Sequence, residues 1–410
     1  DIAKGPAKLG DLRRSSLVLT AAPGAVVDYR VGQAAISAIT MGLEDWPTDQ
    51  MRRVPEPSLQ KVLNVTTLRA PPVTQNIDGK RRGELPARRF PDWQECPDCG
   101  DLRPSSGWID RSGHAALYCD TCKRGGKQVP VVPARFISAC LRGHLDDFPW
   151  YDWINHHEGC NSRNPRLKIS AKGAGLRGLW LSCKGCMAGK SLNDAFSPGK
   201  QRHCGGRRPW LPEDTPEQCE ETRTTVQRGA SNVFFPIART ALSIPPWTDE
   251  FLDEIAETGV WEDITRTLYK SPEQVATKLN ECAERLSDDI GGSQADWHVK
   301  LSGLVDHYLA LPDADNVEGE TAQRQEEWRQ FLLGDADRDT NRTFRVRIEK
   351  VPDKFSPWFA TFARVPRLRA VSAFTGFTRL HPQDAGRGAW KVSPGGDRPR
   401  WLPAIETLGA

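Results

Sequence analysis

Ten of the eleven cysteines fall between Cys96 and Cys219, and two groups of them carry the spacing of metal ligands. Cys96-Pro97-Asp98-Cys99 is followed after nineteen residues by Cys119-Asp120-Thr121-Cys122, a C-x2-C-x19-C-x2-C pattern. A C-x2-C turn brings two sulfurs to one edge of a tetrahedron, and an intervening hairpin returns a second such pair, which is how a four-thiolate zinc ribbon closes on its ion. Gly100, Gly125 and Gly126 supply the positive φ that such turns need. The second group opens with Cys183-Lys184-Gly185-Cys186 and adds Cys204 after seventeen residues and Cys219 after fourteen more. Both groups are expected to hold Zn2+. Between them lie Cys140, His144, His156, His157 and Cys160, which form a third site or lend a ligand to the second.

Strands and turns must position these thiols. Leu17-Val18-Leu19-Thr20 and Val26-Val27-Asp28-Tyr29 have strand composition, with Pro23-Gly24 as the turn between them. Leu167 to Cys183 reads as a β-hairpin with Gly173, Gly175 and Gly178 near its turn, and residues 197–210 as loop. Beyond Pro245-Pro246 the pattern turns helical. Thr248 is placed to cap one helix, and Ser271-Pro272-Glu273-Gln274 is a capping box for another. Behind that box Val275, Leu279, Cys282 and Leu286 recur at helical spacing, which makes Cys282 a core residue. Trp297 to Leu311 and Thr321 to Leu333 read as further helices, and Thr343 to Ile348 alternates like a strand. The class expected is α+β, irregular and multi-domain, with zinc-ribbon-like β modules followed by a helical region. The division expected is an α/β segment at 1–69, a basic linker at 70–92, a cysteine-rich region at 93–245, a helical region at 246–340 and a last region at 341–410.

Composition narrows the class. At 410 residues, 27% charged and 38% apolar, the chain is globular rather than disordered. It has no run of eighteen apolar residues and no basic start leading into an apolar stretch, so neither a spanning helix nor a secretory signal is expected. C-x2-C pairs with an odd cysteine count suit a reducing cytoplasm, where thiolates bind metal instead of pairing. The net charge of +3 decides little, but Lys80, Arg81, Arg82, Arg88 and Arg89 cluster in the 70–92 stretch and are candidates to follow a phosphate backbone.

Catalytic signatures are missing. There is no G-x4-G-K-S/T phosphate loop and no G-x-S-x-G elbow, and His298-Val299-Lys300 opens like a phospholipase-D-like motif but has its acid displaced by one position, at Asp306, and no second copy. His144 with Asp146 and Asp147 has the composition of a hydrolytic metal site, so a metal-dependent nuclease is the competing class, and a zinc adaptor that binds only protein is a third.

The wording of the chain resembles one family throughout. Leu12-Arg13-Arg14-Ser15, Pro23 to Asp28, Gly42 to Trp46, Arg89-Phe90-Pro91-Asp92-Trp93 before Cys96, Gly143 to Trp150, Gln227 to Asn232, Leu368 to Val371, Gly376 to Arg379 and Trp401 to Glu406 are similar, in order, to the DrmB family. These are helicase-associated subunits of the DISARM anti-phage defence system, related through their carboxyl part to MrfA-like zinc-binding domains. Ala22-Pro23-Gly24 stands where that family usually has Gly-Pro-Gly. Its members also run on past the Trp401-Leu402-Pro403-Ala404 landmark, so the last region here is the start of an MrfA-like domain.

The resemblance implies a non-catalytic, cytoplasmic partner of an SF2-type helicase subunit (DrmA-like), the two together engaging foreign DNA. It extends the candidate phosphate contacts to Arg207 and Arg208.

Overall fold

A computed structural model describes residues 7–77, 80–111, 114–156, 160, 167–175, 178–197, 203–248, 251–268, 270–311, 317–333, 343–382, 390–392 and 401–409. They pack as two compact units, neither a continuous stretch of chain. The first takes 1–46, 85–237 and 376–391, and the second takes 47–84, 238–375 and 392–410. The fold is α+β.

The first unit is a set of small antiparallel sheets. Val26–Val31 pairs with Ala34–Thr40, which pairs with Ala87–Arg89. Ile109–Asp110, Leu117–Arg124 and Lys127–Pro130 form a second sheet. A third runs in the order Val132–Pro133, Trp93–Glu95, Asp101–Pro104, Leu167–Ala171, Leu179–Cys183, Gly189–Ser191, and a fourth sets Phe136–Ala139 between Leu145–Asp147 and Thr224–Gln227. Each strand is too short to bury a core alone, so aromatic residues fill the space between the sheets. Phe136, Phe148 and Trp150 are fully buried and pack edge to face, with Phe148 and Trp150 ring centres 4.7 Å apart.

Leu17 to Thr20 is not a strand. Ser16–Val18 is a turn of 3-10 helix in which the Ser16 carbonyl is taken up locally, Ala21 N–H donating to it at 2.6 Å, so Leu17 and Val18 bury without a strand partner while Leu19 stays exposed.

The second unit holds a sheet ordered Phe235–Leu242, Phe362–Thr378, Trp401–Gly409, Thr67–Arg69, Arg53–Val54, with Phe344–Glu349 beside the long second strand. Its helices are Pro57–Leu63, Phe251–Thr258, Val260–Thr265, Pro272–Asp289, Gln294–Ala310 and Val317–Leu333. The capping box forms as expected: Ser271 Oγ accepts from Gln274 N–H, and Gln274 Oε1 from Ser271 N–H. Leu279, Cys282 and Leu286 then face a core shared with Trp261, Ile264, Trp297, Leu301 and Leu304. The capping expected of Thr248 involves residues 249 and 250, which lie outside the described residues. Among the described residues no helix is long and apolar enough to cross a membrane.

Candidate metal centres

Among the described residues of the first unit there are three groups of four potential ligands, and within each the ligand atoms all lie within 4.8 Å of one another. Zinc–sulfur bonds of about 2.3 Å and zinc–nitrogen bonds of about 2.05 Å at tetrahedral angles separate two sulfurs by about 3.8 Å, and sulfur from nitrogen by about 3.6 Å. The separations below lie within about 0.3 Å of those values, and thiolates with imidazoles are a donor set that a divalent metal such as zinc would fit.

The first group is Cys96, Cys99, Cys119 and Cys122. Cys96 and Cys99 occupy the turn between Trp93–Glu95 and Asp101–Pro104, where Gly100 takes φ 72° and a Cβ would meet Ile169 O at 2.1 Å. Cys119 and Cys122 both lie in Leu117–Arg124, and residues three apart in a regular strand point to opposite faces. The pairing with Lys127–Pro130 shifts register between Tyr118 and Lys123, and this irregularity turns both sulfurs to one side. Cys99 Sγ and Cys119 Sγ are 4.0 Å apart. Burial works to raise the Cys119 thiol, but the Thr121 hydroxyl and the N–H groups of Cys122 and Thr121 bring it down to about 7. That favours the thiolate a metal requires.

Cys140, His144, Cys204 and Cys219 form the second group. Cys140 and His144 sit across the turn joining Phe136–Ala139 to Leu145–Asp147, closed by Gly143 at φ 83°. His144 Nδ1 is 3.3 Å from Cys140 Sγ, while its Nε2 lies 2.6 Å from Glu217 Oε1. A carboxylate on the far ring nitrogen is how proteins fix the tautomer of a zinc-binding histidine. Gly206 N–H donates to Cys204 Sγ at 3.3 Å. The Cys204 thiol is pulled down to about 4, first by its hydrogen bond with Cys140 and, against burial, by His144 and Gly206. The Cys140 thiol is pushed up by Cys204 and by burial.

The third group is His156, Cys160, Cys183 and Cys186. Cys183 ends the hairpin strand Leu179–Cys183, paired with Leu167, and Gly185 N–H donates to its Sγ at 3.3 Å. His156 follows the short helix Trp150–Trp153 after Asn155, which adopts φ 49°, and His156 Nε2 comes 3.3 Å from Cys183 Sγ. His157 lies outside the described residues.

The lone cysteines are therefore not where spacing put them. Cys204 and Cys219 join Cys140 and His144, and the Cys183–Cys186 pair is completed by His156 and Cys160. Strand pairing brings this about: Ala139 lies opposite Thr224, which carries Cys219 to Cys140. His156, named from the sequence among the residues that form a third site or lend a ligand to the second group, is the one that joins Cys183 and Cys186 together with Cys160. Its signal was the H-x3-C spacing to Cys160, the reverse of Cys140-x3-His144.

Most of the basic candidates have internal partners. Arg88 donates to the carbonyls of Pro209 (3.0 Å) and Pro212 (2.9 Å), and Arg89 to that of Ala115. Arg207 bridges Asp146 (3.1 Å) and Asp214, while Arg208 pairs with Glu217 at 3.0 Å. Lys80, Arg81 and Arg82 form a strand opposite Gln75–Ile77; Arg82 is exposed, and the side chains of Lys80 and Arg81 lie outside the description.

With this geometry in hand, comparison with known proteins gives two matches. The chain is 27% identical over 403 residues to a Bacillus paralicheniformis protein described as "DISARM protein DrmB", covering 91% of this chain and 65% of the relative. The chain thus spans just under two thirds of the length of that relative. A family model described as a domain of unknown function (DUF8724) matches residues 13–235, a span that holds all three ligand clusters. That span is more than half of the sequence, and the chain belongs to the DUF8724 family.

Proposed function

We propose that this protein is a zinc-bound, non-catalytic subunit of a DISARM anti-phage defence complex, cytoplasmic, pairing with an SF2-type helicase subunit and helping that complex hold foreign DNA. The observation that carries the reading is the likeness to DrmB along nearly the whole chain, together with three ligand clusters pinning sheets too small to hold themselves. When bound, zinc supplies fixed tetrahedral cross-links and compensates the thiolate charge. The chain's own residues orient the ligands: Glu217 holds the His144 ring, and Gly185 and Gly206 N–H groups point at sulfurs.

The nuclease alternative gains no support from the carboxylates. Asp147 accepts N–H groups from Asp92 (3.2 Å) and Trp93 (3.1 Å), and Asp146 is taken by Arg207 and by Asp147 N–H. Both act as local braces.

The test is a phage-challenge assay in cells carrying the full system, paired with co-purification. Wild type should protect and should bring down the helicase subunit. Cys204→Ser should lose both protection and co-purification. Protection that survives loss of all three clusters, or DNA cleavage abolished by Asp146→Asn, would overturn the scaffold reading.

A further inference from the structure

The first and third clusters share one sheet. Cys99 leads into Asp101–Pro104 and Cys183 closes Leu179–Cys183, with Leu167–Ala171 as the strand between them. Leu167 pairs with Leu102 on one side and with Cys183 on the other, so two strand spacings separate these residues by about 10 Å. The turn of the first cluster also docks on the middle strand. Ile169 N–H donates to Gly100 O at 2.8 Å, and Ile169 itself pairs with Leu181.

A row of alternating charges follows the same path. Asp120, between Cys119 and Cys122, accepts from Nη1 and Nη2 of Arg103, both at 3.2 Å. Arg103 Nη2 also donates to Asp101 Oδ2 at 2.8 Å, and Asp101 Oδ1 accepts from Nζ of Lys184, which lies between Cys183 and Cys186. The row therefore starts inside one C-x2-C turn and ends inside the other. Its inner members are withdrawn from water, the Asp101 side chain 2% exposed and that of Arg103 9%. Charges there are screened little, and removing one partner leaves the next unbalanced. The Arg103 guanidinium is covered further by Trp108, whose ring centre is 4.5 Å away. Lys184, 44% exposed, can be changed without opening a void.

We propose that Lys184 and Asp101 couple the first and third clusters, so that emptying the third loosens the hold of the first on its metal. With the third turn closed, Lys184 stands on Asp101, Asp101 orients Arg103, and Arg103 holds the Cys119–Cys122 turn through Asp120. Both clusters stay anionic around a divalent ion, since three or four thiolates outweigh its charge. Arg103 and Lys184 lie on the path between them and offset the resulting repulsion. The second cluster belongs to another sheet, and Glu217 beside its histidine pairs instead with Arg142 and Arg208. The inference rests on the reading that the clusters bind zinc, and it goes beyond that reading in stating which of them depend on each other.

Cobalt(II) tests it, because a four-thiolate site absorbs differently from a site of three thiolates and one imidazole, which makes the first cluster visible apart from the other two. The full chain is loaded with Co2+ and challenged with excess EDTA, and loss of the four-thiolate spectrum is timed. Cys186→Ser, which disables the third cluster, should speed that loss about tenfold, a coupling of the size found within one ion-pair network. Lys184→Met should speed it to the same degree with the third cluster still loaded, and Lys184→Arg should keep most of the wild-type rate. Adding Cys186→Ser to Lys184→Met should change nothing further. Cys204→Ser, which disables the second cluster, should leave the wild-type rate. Independent effects of Cys186→Ser and Lys184→Met, no effect of either, or an equal acceleration by Cys204→Ser would overturn the coupling and leave the zinc reading standing. A wild-type chain that binds no Co2+ at its thiols would remove the zinc reading and this inference together.

Discussion

Arg379 donates its Nε–H to the carbonyl of Gly143 at 2.8 Å, inside the turn that carries both Cys140 and His144. The same guanidinium donates to Val233 O at 2.7 Å and Gly24 O at 2.8 Å, and its plane lies 4.5 Å from the Phe377 ring centre. It is buried, and burial lowers its pKa to about 9 while the nearby Cys140 thiolate opposes that shift. A buried cation whose hydrogen bonds go to carbonyls needs a balancing charge, and a three-thiolate, one-imidazole cluster around a divalent ion carries a net negative one. With a divalent ion bound there, guanidinium and cluster would stabilise each other.

Arg379→Ala leaves three buried carbonyls without donors and should cost about 3–5 kcal/mol. Arg379→Lys, which lacks the planar fork, should still cost on the order of 2 kcal/mol. Denaturant unfolding measures both, and a chromogenic chelator should draw zinc from the second cluster faster in either variant than in wild type.

Metal content separates the two groupings of ligands. Purified protein should hold three zinc equivalents per chain, one for each cluster. Cys183→Ser and Cys204→Ser should each remove one, and the double variant two. A double variant that loses only one equivalent would mean that the two cysteines share an ion after all.

Asp147 gives a pH signature. Its carboxyl is pushed up to about 7 by burial, against the N–H groups of Trp93 and Asp92. An unfolded aspartate titrates near 3.9. Between about pH 4 and pH 7 the folded form holds a proton that the unfolded form has released, so the contribution of Asp147 to stability is present below that window and falls as pH rises through it. The stability of wild type relative to Asp147→Asn should therefore decline by a few kcal/mol from pH 4.5 to pH 8. Comparing the two proteins removes the opposite trend set by the thiolates, which bind metal better at high pH. A difference that does not change with pH would show the carboxyl ionised throughout.

The cysteine pairs were legible because C-x2-C is a local geometry: Cys96 and Cys99 meet across one turn whatever the rest of the chain does. The partners of Cys183 and Cys186 were not. Their assignment depends on which strands pair, and nothing local to Cys219 reports that Thr224 will lie opposite Ala139. The helix behind Ser271 was legible for the same local reason, since box and stripe both lie within one turn or two of each other. Leu17 to Thr20 misled because apolar composition reports burial, not the backbone that achieves it. Arg345 and Arg347 were visible within an alternating strand, but their places opposite Arg367 and Arg364 are a matter of register, which a single strand does not encode.

Leu301 is fully buried among Trp261, Ile264 and Leu286 in the helical core. Leu301→Ala should cost about 2–5 kcal/mol through lost burial and the cavity left behind. Denaturant titration should show an unchanged slope and a lower midpoint, and zinc content should stay at the wild-type value, because the clusters belong to the first unit.

The first unit breaks off at residue 237 and resumes only at 376. Arg379, which fastens the Cys140–His144 turn, is therefore made after all of its acceptors and after every cysteine it helps to seat. At roughly 5–20 residues per second, a translating ribosome leaves those thiols without their clasp for on the order of ten seconds. During that interval the nascent chain must stay reduced and supplied with metal, so its yield in a cell should be more sensitive to zinc starvation and to thiol oxidants during synthesis than the finished molecule is.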